Sequence, residues 1–357
     1  MKIWVQMPME RIRFSMGRRT FHFPAAPFPI DDSPKDTRNL PKYKARVQNI
    51  SVPRVRYQPF DKENTRFLHS CIENGNFEGV RRMESSKSAD WDRAFVWAAQ
   101  YNRLNILRWL FQHHRRPRDL SERSACFGHL DIIKCLHTKL SDKDWTTRAM
   151  DNAARHGHLD IVLWLHEHRS EGCTEVAMEG AAGKGHLAVV CWLFENRSEM
   201  CTIDGILEAI MNGHMQVAQW LYQHQSIWRG KDTGFFEDYP LMDAAAESGQ
   251  LEVLIWLHNH GCNECTNTAM NAAAWQGHLD VVKWLHANRK EGCTRDAIDR
   301  AAQNGHLDVI KWLHHNRSEG CSDVAISFAK AEGHDHIASW IRDNVANRVV
   351  GDSLYIY

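Results

Sequence analysis

Ala273-Ala274-Trp275-Gln276-Gly277-His278-Leu279-Asp280-Val281-Val282-Lys283-Trp284-Leu285-His286 recurs 28 residues later. The second copy is Ala301-Ala302-Gln303-Asn304-Gly305-His306-Leu307-Asp308-Val309-Ile310-Lys311-Trp312-Leu313-His314. Working outward from the Gly of this stretch gives anchors at Gly75, Asn102, Gly128, Gly157, Gly185, Gly213, Gly249, Gly277, Gly305 and Gly333. The steps are 27, 26, 29, 28, 28, 36, 28, 28 and 28 residues, a period of 28 with one insertion of 36 − 28 = 8. A fixed period in this range marks an array of stacked units rather than one globule.

Each unit predicts two helices. In the quoted copy, Thr266 is placed to cap the first by accepting free amide hydrogens. Ala269, Met270, Ala273 and Ala274 form its apolar stripe, and Gly277 ends it by entering the left-handed region. The second helix runs from about Leu279 to Asn288. Leu279, Val281, Val282, Trp284 and Leu285 cover more than half its circumference, so neighbours must sandwich it. Alanine pairs recur at Ala98/Ala99, Ala153/Ala154, Ala181/Ala182, Ala245/Ala246, Ala273/Ala274 and Ala301/Ala302, where small side chains let helices approach closely. Tryptophans recur at Trp109, Trp164, Trp192, Trp220, Trp256, Trp284, Trp312 and Trp340 and are expected to fill the gaps between units. Burying each is worth on the order of 2–3 kcal/mol.

Ala-Ala-x-x-Gly-His-Leu-Asp-Val-Val-x-x-Leu-His resembles the ankyrin repeat, over about 280 residues. The ankyrin period is about 33 residues, and its Thr-Pro-Leu-His opening is absent here. Thr174, Thr202, Thr266 and Thr294 instead stand eleven before the Gly, and Asp151, Asp243, Asn271 and Asp299 replace that motif's His. The missing residues belong to the projecting hairpin of typical ankyrins, so short connectors such as Arg169–Cys173 and Arg317–Cys321 are expected. The resemblance implies an all-α, ankyrin-like helical-repeat solenoid of about ten helix-turn-helix units, which binds a macromolecular partner on its concave face. By that resemblance the concave face carries two first-helix positions. Two residues before the Gly stand Arg155, Gly183, Met211, Glu247, Trp275, Gln303 and Ala331. Four residues earlier stand Asp151, Glu179, Leu207, Asp243, Asn271, Asp299 and Ser327. Trp275 and Met211 are candidate anchors for a partner. Ordinary packing against neighbouring units is the competing reading of Trp275.

The residues that could carry chemistry follow the same period. One histidine series follows the anchor (His129, His158, His186, His214, His278, His306, His334) and another follows Trp-Leu or its equivalent (His137, His166, His258, His286, His314). A metal needs three or four ligands converging on a point, whereas a ladder spreads them along the stack. Hydrogen bonding at loops and helix ends accounts for them better. Cys173, Cys201, Cys265, Cys293 and Cys321 precede the capping Thr or Ser as small residues at loop ends. Cys262-Asn263-Glu264-Cys265 has no second pair to make a zinc ribbon. No phosphate loop, Gly-x-Ser-x-Gly or His-Glu-x-x-His occurs. Asp160, Asp280 and Asp308 suit the positive end of a helix dipole. A catalytic role, a cofactor, a metal and a small-molecule substrate are therefore not expected.

Outside the period lie an arm, an insertion and a tail. Residues 1–60 hold eight of the ten prolines, with twelve Lys+Arg against four Asp+Glu. That gives the arm +8 and, since the whole chain carries 44 of each, leaves −8 for the rest. An irregular, Pro-rich arm is expected. Its basic residues suggest an alternative function of tethering to an anionic membrane or nucleic acid. The insertion at 226–240 carries Trp228, Phe235, Phe236 and Tyr239, which either pack on the array or form part of a binding surface. Asp238 is expected at the cap of the following helix with Pro240 in its first turn. The array then spans 61–347 and a tail 348–357. Without a secretory signal or an 18-residue apolar run, an intracellular, cytoplasmic monomer with reduced thiols is expected. Its partner is expected to be another protein, and its stability to fall at pH 5, where the histidines charge.

Overall fold

A computed structural model of the chain describes residues 62–346 apart from 87, 200–201 and 225–239. The readings of the arm, the tail and the insertion aromatics Trp228, Phe235 and Phe236 lie outside the described residues. The described residues belong to the unit Phe60–Tyr357 and contain helices but no strand.

The helices come in ten pairs. They are α1 (Lys62–Glu73) and α2 (Phe77–Arg82), α3 (Trp91–Gln100) and α4 (Leu104–His113), α5 (Leu120–Ser124) and α6 (Leu130–Lys139). Next come α7 (Thr147–Arg155) and α8 (Leu159–His168), α9 (Glu175–Gly183) and α10 (Leu187–Asn196), α11 (Ile203–Met211) and α12 (Met215–Gln223). The last four pairs are α13 (Leu241–Glu247) and α14 (Leu251–Asn259), α15 (Asn267–Gln276) and α16 (Leu279–Asn288), α17 (Asp296–Gln303) and α18 (Leu307–Asn316), α19 (Val324–Ala331) and α20 (Asp335–Ile341). First helices pack on first helices in sequence from α7 through α9, α11, α13, α15 and α17 to α19, and each also packs on its own second helix. This is a helical-repeat solenoid. The alanine pairs make the close approach possible, and all six are fully buried.

The Gly-His dipeptide at seven of the ten anchors locks one unit to the one before. Gly277 turns the chain at φ +83, and Asn102 does so at φ 54 in the second unit. The histidine that follows reaches back, so that His129 Nε2 lies 3.0 Å from the Gln100 carbonyl and His158 Nε2 lies 2.9 Å from that of Cys126. An anchor residue must also leave room for the next unit's ring, because a Cβ on Gly277 would stand 2.5 Å from His306 Nδ1. The first histidine series is thus structural. Arg103 takes its place in the second unit, donating from Nε to the Ile72 carbonyl at 3.2 Å.

Two expectations are corrected. Apart from Trp109, the repeat tryptophans are half-buried rather than enclosed between units. They sit at the rim of the second-helix row, where the preceding unit's second-series histidine meets five of them edge-on. His258–Trp284 centroids are 5.3 Å apart and His286–Trp312 centroids 5.2 Å, at 83° in both. Phe194 and Tyr222 do the same to Trp220 and Trp256. Such edge contacts add about 0.5–1.5 kcal/mol beyond burial. Pro240 precedes the first residue of α13 as its N-cap rather than lying within its first turn, and supplies no side-chain cap.

Candidate protein-binding surface

The two first-helix positions singled out in the sequence have opposite fates. The inner one, six before the anchor, fastens its unit to the next. Asp243 is 3 % exposed, and its Oδ1 accepts from the Thr266 amide at 2.9 Å and its Oδ2 from the Thr266 hydroxyl at 2.5 Å. Asp299 is 3 % exposed and accepts from Ser322 N and Oγ at 2.8 and 2.5 Å. Asp151 does the same to Thr174 at 2.7 and 2.9 Å. Asn271 accepts from the Thr294 amide at 2.9 Å and donates through Nδ2 to its hydroxyl at 2.9 Å. The capping Thr therefore serves twice, closing its own helix and holding the preceding one. Asp243 and Asp299 are buried and Asn271 is half-buried, and the polar atoms of all three are engaged inside the array. At one boundary the fastener is replaced by Leu207, buried ahead of the insertion and the uncapped α13.

Burial raises the Asp151, Asp243 and Asp299 carboxyls above their ordinary range, with the Thr and Ser hydrogen bonds opposing. Each charge is thus held at a cost that its two donors offset in part.

A second fastener lies in the connectors. Arg197 pairs with Glu199 at 2.6 Å, and Arg169–Glu171 and Arg289–Glu291 repeat this at 2.5 Å. Burial alone would raise the Glu199 carboxyl, but the Arg197 hydrogen bond and backbone amides hold it below the ordinary range. Arg317 Nη2 lies over the preceding connector, where a Cβ on Gly292 would stand 2.5 Å from it. Burial pushes Cys173 and Cys265 up to about 12 and Cys293 and Cys321 up to about 11, aided by Glu199, Asp243, Glu319 and Asp299 respectively. A thiolate is the reactive species, so these four are expected to resist iodoacetamide at pH 7.5 until urea unfolds the array. Peptide mapping of the alkylated cysteines checks this. Cys262 is buried and its thiol also raised, which suits packing and not redox chemistry.

Burial lowers the His186 and His306 imidazoles, and the histidines of adjacent units lower them further. A histidine lowered in the folded state lends stability that is complete above its unfolded value near 6.5. That contribution is lost as pH falls through 6.5. The raised aspartates act in the opposite sense, favouring the fold as pH falls. Between pH 7.5 and 6 the histidines dominate, so the melting temperature is expected to be lower at pH 6. Calorimetry at the two values checks the sign.

The outer position, two before the anchor, stays at the surface. Arg155 is exposed, Met211 is 41 % exposed, and Glu247, Trp275 and Gln303 are half-buried. Trp275 stands outside the contiguous apolar core, and its carbonyl accepts from Asn304 Nδ2 at 3.0 Å. Gln303 accepts from Arg300 Nη1 at 3.1 Å. The position five before the anchor, not singled out in the sequence, adds to this surface in several units, while Gly180, Ala244 and Ala272 are buried there. Its accessible members are Trp97, Arg123, Asn152, Glu208, Arg300 and Phe328. It lies three residues from the outer position, a spacing that shares a helix face. Arg155 of one unit covers Gly180 of the next, where a Cβ would stand 3.0 Å from the Arg155 Cβ. Adjacent units thus join these side chains into one continuous surface. A cleft beneath the connector of Arg169 and Glu171 measures about 10 Å³, room for one water at most. No cluster of metal-binding side chains occurs among the described residues. No helix among them is long and apolar enough to cross a membrane.

The family model described as ankyrin repeats (3 copies) matches residues 206–296 and 246–328. Residues 206–328 are ankyrin repeats. Among curated proteins, none matches the chain. Ankyrin repeats generally mediate protein–protein interaction and are generally not catalytic. The anchor, the Ala pair and the fastener of these ankyrin repeats recur upstream, as in Gly157, Ala153/Ala154 and Asp151.

Proposed function

We propose that the chain is a non-catalytic scaffold that binds a protein partner on the concave, first-helix face of its ankyrin repeats. The observation that supports it is the division between the two rows. The inner row is polar and hydrogen-bonded across units at Asp151, Asp243, Asn271 and Asp299, because packing consumes it, whereas the outer row changes side chain and stays accessible at Arg155, Met211, Glu247, Trp275 and Gln303. A surface varied on a constant frame suits recognition of one particular partner. Met211 and Trp275 supply apolar anchors and Arg155, Glu247 and Gln303 the polar contacts around them.

Trp275→Ala is expected to leave the free energy of urea unfolding within about 1 kcal/mol of wild type. It is expected to weaken capture of a partner by about tenfold or more, as truncation of a binding hot spot does. Pull-down quantified against the intact chain, beside urea titration, tests this. Loss of stability and capture in equal measure would assign Trp275 to packing alone.

The same proposal includes a chain working as an intracellular, cytoplasmic monomer, with the arm 1–60 and tail 348–357 outside the array. The twelve basic against four acidic residues of the arm favour a second reading, a tether to an anionic membrane or nucleic acid. Salt-dependent binding that vanishes on deletion of residues 1–60 would support it.

A further inference from the structure

Most connector arginines already have a carboxylate partner, as Arg169, Arg197, Arg289 and Arg317 each hold the glutamate two residues on. Arg300, on α17, is different. Its guanidinium carbon lies 5.7 Å from the centroid of Phe328 in the next unit, and its Nη1 donates to Gln303 one turn along its own helix. No carboxylate lies within ion-pair distance of it among the described residues. Phe328 and Trp275 are half-buried rings outside the contiguous apolar core, in the units that follow and precede that of Arg300.

A guanidinium laid on a ring and tied by one hydrogen bond has lost much of its rotamer freedom before any ligand arrives. Its remaining N–H donors form the fork that a carboxylate fits in bidentate fashion. The Phe328 ring offers apolar area beside that fork, and Trp275 lies on the same surface of the preceding unit. We infer that Trp275, Arg300, Gln303 and Phe328 form a subsite for an acidic peptide segment of a protein partner, in which an Asp or Glu pairs with Arg300 and an adjacent apolar or aromatic side chain lies against Trp275 or Phe328. Charge selects the occupant. Residues 61–357 carry 44 − 12 = 32 basic against 44 − 4 = 40 acidic residues. That balance disfavours a polyanion such as nucleic acid far more than a segment bearing one carboxylate, which meets a single preorganised cation. The inference rests on the concave-face reading above and adds the partner's chemistry.

The test is selection of a random twelve-residue display library on the full-length chain, followed by titration of a synthetic consensus peptide. The expected peptides pair an Asp or Glu with a neighbouring Trp, Phe, Tyr or Leu. Their affinity falls about tenfold or more in Arg300→Met, which keeps the stem but removes the fork, and by a smaller factor in Arg300→Lys, which keeps the charge. Urea titration of both variants checks folding, and Arg300→Lys serves if Arg300→Met fails to fold. Peptides without acidic residues, basic peptides, or acidic peptides bound equally well by both variants would overturn the inference. In those cases weakening by Met211→Ala or Trp275→Ala would leave concave-face binding standing. Peptides indifferent to all four substitutions, or no enrichment at all, would overturn both.

Discussion

Asp299→Ala is expected to destabilise the array by about 2–4 kcal/mol in urea titration, while Asp299→Asn changes it by less than about 1 kcal/mol. The carboxylate accepts from both the amide and the hydroxyl of Ser322, which start the next unit. Alanine leaves those two donors without an acceptor in a buried place, the expensive way to lose a hydrogen bond. Asparagine keeps one acceptor for the amide and turns its other group into a donor to the hydroxyl. The chain already contains that arrangement in Asn271 and Thr294. Because burial holds the Asp299 carboxyl above its ordinary range, the charged form contributes least at neutral pH. Asparagine removes that charge, so any gain appears there. A large loss in the Asn variant would mean that the charge, and not the hydrogen-bond geometry, joins the units.

Gly277→Ala is expected to cost about 2–4 kcal/mol, and Gly333→Ala only about 1–2. Both glycines have φ near +80 and an added Cβ strains both alike. They differ in surroundings. A Cβ on Gly277 would stand 2.5 Å from His306 Nδ1, forcing the ring away from its hydrogen bond to the Trp275 carbonyl. That bond is worth about 0.5–1.5 kcal/mol. Nothing lies within 4 Å of a Cβ on Gly333, where no further unit follows among the described residues. Urea titration of the pair isolates the inter-unit contact from backbone strain. Equal losses would show that the histidine contributes nothing across the boundary.

The period of the array was legible because it rests on residue types with few other uses. A Gly every 28 residues, followed by His-Leu and preceded by Ala-Ala, admits one physical explanation. The second helix of the deciding stretch begins and ends at Leu279 and Asn288, as expected from its apolar spacing. What the pattern could not divide was the polar face of the first helix. Asp299 and Gln303 are four residues apart and share a face on a helical wheel, yet one is buried and the other accessible. The difference arises across units, because the capping Ser322 approaches Asp299 from the next repeat, a contact invisible in any single copy. A four-residue spacing leads from Asp299 to Gln303 and passes over Arg300, which a three-residue spacing joins to the same surface. The tryptophans were overestimated as core because their period resembles that of the buried leucines. The rim position becomes plain only when the edge-on histidines from the preceding unit are seen.

Two rows share one helix face, an inner row that fastens the stack and an outer row proposed to meet a partner. The most direct measurement is urea unfolding of seven alanine variants, at Asp151, Asp243 and Asp299 on the inner row and at Arg155, Met211, Trp275 and Gln303 on the outer row. The expected result is a loss of about 2–4 kcal/mol for each inner variant and of less than about 1 kcal/mol for each outer one. Comparable losses from the two rows, or larger losses from the outer row, would contradict it.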